Sequence, residues 1–205
     1  MPDAQVDLFG AAEGGPSGFR YASDVISRDE ERALLDAVRA LPFREFEFQG
    51  YVGKRRVVSF GWRYDFADQK LHAASDIPDF LLPARDAAAR FAGMAAGQLT
   101  QALVTEYSAG AAIGWHRDRS EFGDVVGISL LSGCVFRLRR KTGARWERFS
   151  VTAEPRSAYL LHGPARTEWE HSIPAVPALR YSITFRTLRA SPAAAGKGRH
   201  EVSEE

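Results

Sequence analysis

The chain has 205 residues, 45% of them hydrophobic, which is enough for one well-buried core with helices packed outside it. Its 27 lysines and arginines balance 26 acidic residues, which disfavours a strongly basic, non-specific nucleic-acid binder but leaves room for a local basic face. The single cysteine, Cys134, excludes an intramolecular disulfide and a thiolate zinc site. We find no signal-peptide core in residues 1–30 and no apolar run of about 18 residues, and therefore expect a cytoplasmic protein without a membrane span.

Residues 1–18 are rich in Gly, Pro and Ala and predict a flexible N-terminal arm, and residues 190–205 predict a disordered tail. The arm contains a pentapeptide that is similar to the motif by which bacterial repair and replication proteins bind the sliding clamp: Gln5, Val6, Asp7, Leu8 and Phe9. The clamp is therefore a candidate partner. In the alternative interpretation, Leu8 and Phe9 fold back onto the domain.

Two helices are predicted before the main β region. Ser27 and Glu30 form a capping box that begins an amphipathic helix, which ends before Pro42. A second helix begins near Pro83 within residues 78–97. These helices are expected to serve as scaffold.

Residues 43–66 have a β-like pattern with an unusual composition. The basic run Lys54, Arg55 and Arg56 precedes four aromatic residues at alternate positions: Phe60, Trp62, Tyr64 and Phe66. Such alternation is more typical of half-buried sheet residues than of a binding platform. Beside basic residues, however, the aromatic rings could stack on a nucleobase.

From Leu99 onward the chain consists almost entirely of short segments with strand character, separated by turn signals. These segments are residues 99–107, 113–118, 125–132, 134–140, 145–152, 157–162, 168–173 and 179–188. About eight closely spaced strands predict an antiparallel barrel or jelly roll. The expected fold class is mainly β with flanking helices (α+β), a double-stranded β-helix.

A candidate metal site begins at the end of the second of these strands. His116 and Asp118 are two residues apart, so in an extended chain their side chains project from the same face. Either His162 or His171 could supply a third ligand, and His171 is favoured because it lies in a strand-like segment. Two imidazoles and one carboxylate are the ligands of non-haem Fe(II) oxygenases.

The last strand alternates polar and apolar residues. Its polar face carries Arg180, Ser182, Thr184 and Arg186. An ordinary solvent-facing strand would show the same alternation. Inside a barrel, two guanidiniums would instead need carboxylate partners, which a dicarboxylate such as 2-oxoglutarate provides.

His-x-Asp, a distant His and Arg-x5-Arg in a jelly roll together resemble the AlkB family of Fe(II)/2-oxoglutarate dioxygenases, over residues 19–189. These enzymes oxidatively demethylate alkylated nucleic-acid bases and, in some branches, modify protein side chains. The resemblance implies Fe(II), 2-oxoglutarate and O₂ as cofactor and cosubstrates, with iron ligands His116, Asp118 and His171. It also implies a set of 2-oxoglutarate contacts: Arg180 at the distal carboxylate, Arg186 near the metal-chelating end, Tyr107, and Thr105 and Ser182 where relatives carry Asn.

Residues 56–66 resemble the family's substrate-recognition lid. The resemblance implies substrate contacts by Arg56, Phe60, Trp62, Tyr64 and Glu121. Where base-demethylating members carry an acidic residue after His-x-Asp, this chain has Ser120, followed by Glu121.

The leading hypothesis is a monomeric demethylase that acts on alkylated single-stranded DNA or RNA. The basic stretch of residues 137–148 supports it, although by itself this stretch is more typical of a solvated hairpin. Two alternatives stay open: the same chemistry on a protein or small molecule, and a metal-binding jelly roll without catalysis.

Overall fold

The computed structural model describes residues 15–48, 51–65 and 68–189. Helices there are Arg28–Arg39 (α1), Leu82–Ala92 (α2) and Gly163–Thr167 (α3), with 3₁₀ turns at Asp79–Leu81 and Ala96–Gln98. The strands are Phe19–Ala22 (β1), Arg44–Phe48 (β2), Tyr51–Phe60 (β3), Trp62–Asp65 (β4), Lys70–Ala73 (β5), Gln101–Tyr107 (β6), Ile113–His116 (β7), Phe122–Leu130 (β8), Cys134–Thr142 (β9), Arg145–Ala153 (β10), Ala158–Leu161 (β11), Glu170–Ile173 (β12) and Arg180–Leu188 (β13). Within these ranges, no helix has the length and apolar character needed to cross a bilayer.

Two antiparallel sheets form the predicted jelly roll. The larger has the strand order β1-β11-β8-β13-β6-β3-β2, and the smaller has the order β10-β9-β12-β7. A separate hairpin pairs β4 with β5. The mainly β architecture with flanking helices is therefore confirmed.

The helices cover the outer face of the larger sheet. α1 begins with the predicted capping box, in which the Ser27 amide donates to Glu30 at 2.6 Å and the Glu30 amide donates to Ser27 Oγ at 3.2 Å. Its apolar side chains, with those of α2, share one buried cluster with Val126, Ile128 and Ile183 of the sheet. This cluster fixes the outer layer of the molecule.

A second buried cluster fills the space between the two sheets. It combines Phe136 and Leu138 of the smaller sheet with Tyr107, Val125 and Tyr159 of the larger one. Because adjacent strand residues point to opposite faces, β13 directs Tyr181, Ile183 and Phe185 toward the helices and its polar residues into this space. Residues 180–186 are buried on both faces, so the solvent-facing alternative for this strand is wrong.

Phe60 lies on a different strand from Trp62 and Tyr64, although their alternate spacing is typical of a single strand. β3 ends at Phe60, and Gly61 turns the chain with a φ of +73°. A Cβ at Gly61 would lie 2.0 Å from the carbonyl oxygen of Thr100, so only glycine fits this turn. Trp62 and Tyr64 therefore belong to the β4–β5 hairpin.

Candidate active site

Three side chains from two paired strands and the following loop form a compact cluster of potential metal ligands. β7 and β12 pair so that His116 lies directly opposite His171, and Asp118 follows two residues later. The Nε2 atoms of His116 and His171 lie 3.6 Å and 3.7 Å from the same oxygen, Oδ1 of Asp118. One ion can contact all three groups, as the sequence predicted.

The environment holds each of these groups in the state that binds a metal. His116 Nδ1 lies 2.9 Å from the Gly114 carbonyl oxygen and donates to it, which leaves Nε2 as the ligand atom. Burial lowers the pKa of His171 to about 3, so its ring is neutral at physiological pH. Burial disfavours the charge on Asp118, but the positive charge of Arg186 holds its pKa well below the usual range.

Arg186 connects the last strand to the metal cluster. Its Nε donates to Oδ2 of Asp118 at 2.8 Å, and its Nη1 donates to Gln101 at 2.9 Å. Asp118 therefore presents one oxygen to the imidazoles and the other to the guanidinium. This arrangement orients the carboxylate before any ion binds.

Arg180 lies on the same inner face, further along β13. The side chain is 1% exposed, and its Nη2 donates to Ser129 Oγ at 3.1 Å. Its Nε and Nη1 are buried and have no partner among the described residues. A buried guanidinium with unpaired donors calls for an anion, and a carboxylate fits it.

The predicted hydroxyl groups line the same inner face. Thr105 lies opposite Ser182, and Tyr107 lies opposite Arg180, whose guanidinium is 4.8 Å from the centroid of the Tyr107 ring. Thr105, Tyr107 and Ser182 are buried. The structure thus brings together all five residues expected to contact 2-oxoglutarate.

A model of the 2OG-Fe(II) oxygenase superfamily matches residues 18–186. The chain belongs to this superfamily. Its similarity to an ALKBH8 homolog supports its assignment as an AlkB-like member. It is 29% identical over 183 residues to an alkylated DNA repair protein ALKBH8 homolog of Arabidopsis thaliana, covering 77% of this chain and 51% of that protein. The chain thus spans about half the length of that relative. It is also 24% identical over 195 residues to the uncharacterized protein L905 of Acanthamoeba polyphaga mimivirus, covering 84% and 85% of the two chains.

Solved structures share this oxygenase's fold. The structure of OsALKBH1 has a TM-score of 0.61 at 15% identity and covers 83% of this chain and 96% of that one. A Pseudomonas putida prolyl-4-hydroxylase has a TM-score of 0.58 at 14% identity, with 85% and 94% covered. At these identities the likeness concerns the jelly roll alone.

Members of this superfamily use Fe(II), 2-oxoglutarate and O₂, and the residues of this oxygenase fit the metal and the cosubstrate. Two imidazoles and one carboxylate are the ligand set of a non-haem Fe(II) site. The unpaired donors of Arg180 fit a carboxylate of 2-oxoglutarate.

Two of the predicted substrate residues point away from this site. Arg56 binds Glu106 at 2.7 Å, and its guanidinium lies 5.6 Å from the centroid of Phe43 on the outer face. Phe60 is buried in the cluster beneath the helices. The predictions for Arg56 and Phe60 are wrong because these residues share the face of Val58, which packs against that cluster.

The neighbouring residue, Arg55, is the one that faces the site. It lies opposite Tyr107, which in turn lies opposite Arg180, so the three side chains share the inner face. Burial lowers the pKa of the Arg55 guanidinium, and the charge of Asp118 opposes this effect. Strand alternation could have identified Arg55 once Val58 and Phe60 were assigned to the core.

The β4–β5 hairpin contacts the loop that follows the metal cluster. The guanidinium of Arg119, one residue after Asp118, lies 4.5 Å from the centroid of the Tyr64 ring. Trp62 and Tyr64 are half-buried, and Glu121, also half-buried, accepts from Ser120 Oγ at 3.3 Å. Substrate contacts by these three residues stay predictions.

Two further residues near the site, Arg166 and Tyr159, were not anticipated, and His162 lies outside the metal cluster. Arg166, in the unpredicted helix α3, donates to the carbonyl oxygens of Arg119, Phe122 and Gly123, and so fixes the loop after Asp118. Tyr159 lies on the inner face opposite Gly127, with its ring 4.3 Å from Phe136, centroid to centroid. His162, the alternative third ligand, instead contacts Asp124 at 2.8 Å.

Proposed function

We propose that this oxygenase demethylates alkylated bases in single-stranded nucleic acid. The observation that carries the proposal is the aromatic β4–β5 hairpin, whose Tyr64 contacts Arg119 beside the metal cluster. A base flipped out of the strand could be held by such a hairpin next to the iron. The name of the Arabidopsis relative, an alkylated DNA repair protein homolog, supports the same substrate class.

Different residues would bind the metal and the cosubstrate in this reaction. His116, Asp118 and His171 would hold Fe(II), which with 2-oxoglutarate and O₂ supplies the oxidising power to hydroxylate a methyl C–H bond. Arg180 would bind the distal carboxylate of 2-oxoglutarate through its buried, unpaired donors. Arg186 keeps the carboxylate of Asp118 ionised and oriented.

One oxygen atom of O₂ enters the methyl group, and the other enters succinate as 2-oxoglutarate loses CO₂. The hydroxylated N-methyl group then breaks its C–N bond, releases formaldehyde and leaves an N–H on the base.

The test is succinate production by the Fe(II)-loaded protein with 2-oxoglutarate and one of three additions. These are a methylated oligonucleotide, the same oligonucleotide without methyl groups, and a proline-containing peptide. We expect stimulation by the methylated strand alone. His116→Ala should abolish it, whereas His162→Ala, which alters the exposed histidine outside the cluster, should retain it. Stimulation by the peptide alone would overturn the proposal.

A protein substrate is the second candidate. The observation that favours it is the likeness to the Pseudomonas prolyl-4-hydroxylase, whose TM-score is close to that of OsALKBH1. The peptide arm of the same assay tests it.

The predicted sliding-clamp motif of residues 5–9 lies outside the described residues, as does the predicted tail of residues 190–205. We propose the clamp as a partner of a monomeric, cytoplasmic protein. Replacing Leu8 and Phe9 with Ala should abolish co-migration with a bacterial sliding clamp on size-exclusion chromatography. Unchanged co-migration would exclude this motif as the contact.

A further inference from the structure

The outward side of the smaller sheet carries a cluster of cations and indole rings. In β9 and β10, Arg139 lies opposite Arg148 and Lys141 lies opposite Trp146, so these four side chains share one face. Arg137 lies two residues before Arg139 and shares it. We call this surface the outer basic face, and it comprises Trp115, Arg137, Arg139, Lys141, Trp146 and Arg148.

The centre of the outer basic face is held rigidly. The guanidinium of Arg139 lies 4.4 Å from the ring centroids of both Trp115 and Trp146, and its Nε binds Glu170 at 2.7 Å. Arg137 lies 4.9 Å from the Trp115 ring, and its Nε donates to Ser172 at 3.0 Å. The two indole rings are therefore fixed in place, and Glu170 neutralises the charge of Arg139.

The charges of the other three cations on this face are not neutralised by ion pairs. Among the described residues, Arg137, Lys141 and Arg148 have no acidic partner within ion-pair distance. Trp146 is 39% exposed, which is unusual for so large an apolar ring. Glu170 pairs with Arg139 on this face, which leaves an excess of cations over carboxylates. Clustered cations with an exposed aromatic ring are typical of surfaces that bind single-stranded nucleic acid.

The outer basic face lies directly behind the metal cluster. β7 is the edge strand of the smaller sheet, and it carries Trp115 on the outer side and His116 on the inner side. A nucleic-acid chain that leaves the metal site therefore needs to cross only the edge strand β7 to reach this face. Strands about 4.8 Å apart make the sheet roughly 14 Å wide from β7 to β10.

We propose that the outer basic face binds the sugar-phosphate backbone of single-stranded nucleic acid next to the base held at the metal site. This inference rests on the function proposed above. Arg137, Lys141 and Arg148 contact phosphates, and the exposed ring of Trp146 stacks on a base. An acidic peptide is the competing occupant.

The test uses the full chain and a fluorescein-labelled oligothymidylate of about twelve nucleotides, with binding followed by fluorescence anisotropy at several salt concentrations. Lys141 and Arg148 are exposed and make no ion pair among the described residues, so their double replacement by Ala should leave the fold intact. The double variant should reduce the slope of log affinity against log salt by about 1.4, because each phosphate contact on a single strand contributes about 0.7.

Further variants test whether binding depends on base stacking and on the position of the charges, rather than on net charge alone. Trp146→Ala should weaken binding about tenfold, while Trp146→Phe should retain most of the affinity because a ring is kept. The matched control replaces Arg28 and Arg32 on α1 with Ala, which removes the same charge from the opposite side of the molecule. This control should leave the affinity and the salt slope close to those of the wild type.

The outcomes separate this inference from the proposed function. One outcome is that the enzyme turns over a methylated strand while the Lys141 and Arg148 double variant binds with wild-type affinity and salt slope. This outcome overturns the role of the outer basic face but supports the demethylase function. A lack of turnover with every methylated oligonucleotide overturns the demethylase, whatever the binding result. Tighter binding of a polyglutamate peptide than of the oligonucleotide, weakened by the same variants, assigns the face to a protein partner and overturns the inference.

Discussion

The guanidinium of Arg186 donates to Oδ2 of Asp118 at 2.8 Å, while Oδ1 of the same carboxylate faces the Nε2 atoms of both histidines. Strand β13 thereby orients Asp118, which lies in the loop after β7 (the metal loop). Both partners are nearly buried, with 11% and 8% of their side chains exposed. The arginine fixes the carboxylate and balances its charge in the absence of metal.

Arg186→Met should consequently destabilise the metal-free protein. Removing one partner of a buried ion pair leaves an uncompensated charge, and the expected loss is about 3 kcal/mol of the free energy of unfolding. Mn²⁺ should recover part of the loss, because the metal then balances Asp118. Urea denaturation with and without Mn²⁺ measures this, and an equal loss under both conditions would contradict a charge-balancing role for Arg186.

Arg180→Met should have the opposite effect on stability. The buried Nε and Nη1 of Arg180 have no partners among the described residues, so an apolar side chain of similar length should raise the free energy of unfolding by roughly 1–3 kcal/mol without cosubstrate. The stabilisation by 2-oxoglutarate, measured with Mn²⁺ in place of iron, should disappear.

Arg156→Met is the matched control for this experiment. Arg156 is paired with Asp24 and Glu31 outside the pocket, so its replacement should lower stability and keep the response to 2-oxoglutarate. If Arg180→Met retained the full response to 2-oxoglutarate, Arg180 would not be the residue that binds it.

Gly127→Ala should overpack the inner face of the barrel. A Cβ at Gly127 would lie 2.3 Å from Cζ of Tyr159, so the expected loss is about 1–3 kcal/mol of the free energy of unfolding. Urea denaturation measures it. Combining the change with Tyr159→Leu should relieve the clash, whereas Tyr159→Phe keeps the ring carbons and should not. If Gly127→Ala cost the same free energy with and without Tyr159→Leu, the added methyl group would not be meeting the tyrosine ring.

Tyr64→Ala should loosen the β4–β5 hairpin. The contact between Tyr64 and Arg119 is worth about 0.5–1 kcal/mol, so amide exchange at Trp62–Asp65 should accelerate by roughly two- to fivefold. Tyr64→Phe keeps an aromatic face and should exchange like the wild type. Identical exchange in the Ala and Phe variants would mean that the ring does not tie the hairpin to the metal loop.

Most residues of the metal and cosubstrate sites could be predicted because they lie on strands whose alternation has a clear phase, and Asp118 directly follows such a strand. His116 and Asp118 are two residues apart, and the four polar positions of β13 alternate with Tyr181, Ile183 and Phe185. The capping box of α1 was equally clear, because Ser27 and Glu30 interact locally.

Other features depend on information that the local sequence lacks. Arg55 and Arg56 are adjacent cations, and only the pairing of β3 with β6 decides which one faces the site. β11 is buried on both faces, so alternation could not show that Tyr159 points inward. Helix α3 has only five residues, too few for a helical period to be visible.

The most direct test of nucleic acid as the substrate is to follow an oligonucleotide with isotopically labelled N-methyl groups in the presence of Fe(II), 2-oxoglutarate and O₂. We expect labelled formaldehyde and unlabelled succinate to form in equal amounts while unmethylated bases are restored. The His116→Ala variant should form none of these three products. Succinate formed at the same rate with and without the strand, while the label stays on the bases, would contradict the assignment of nucleic acid as the substrate.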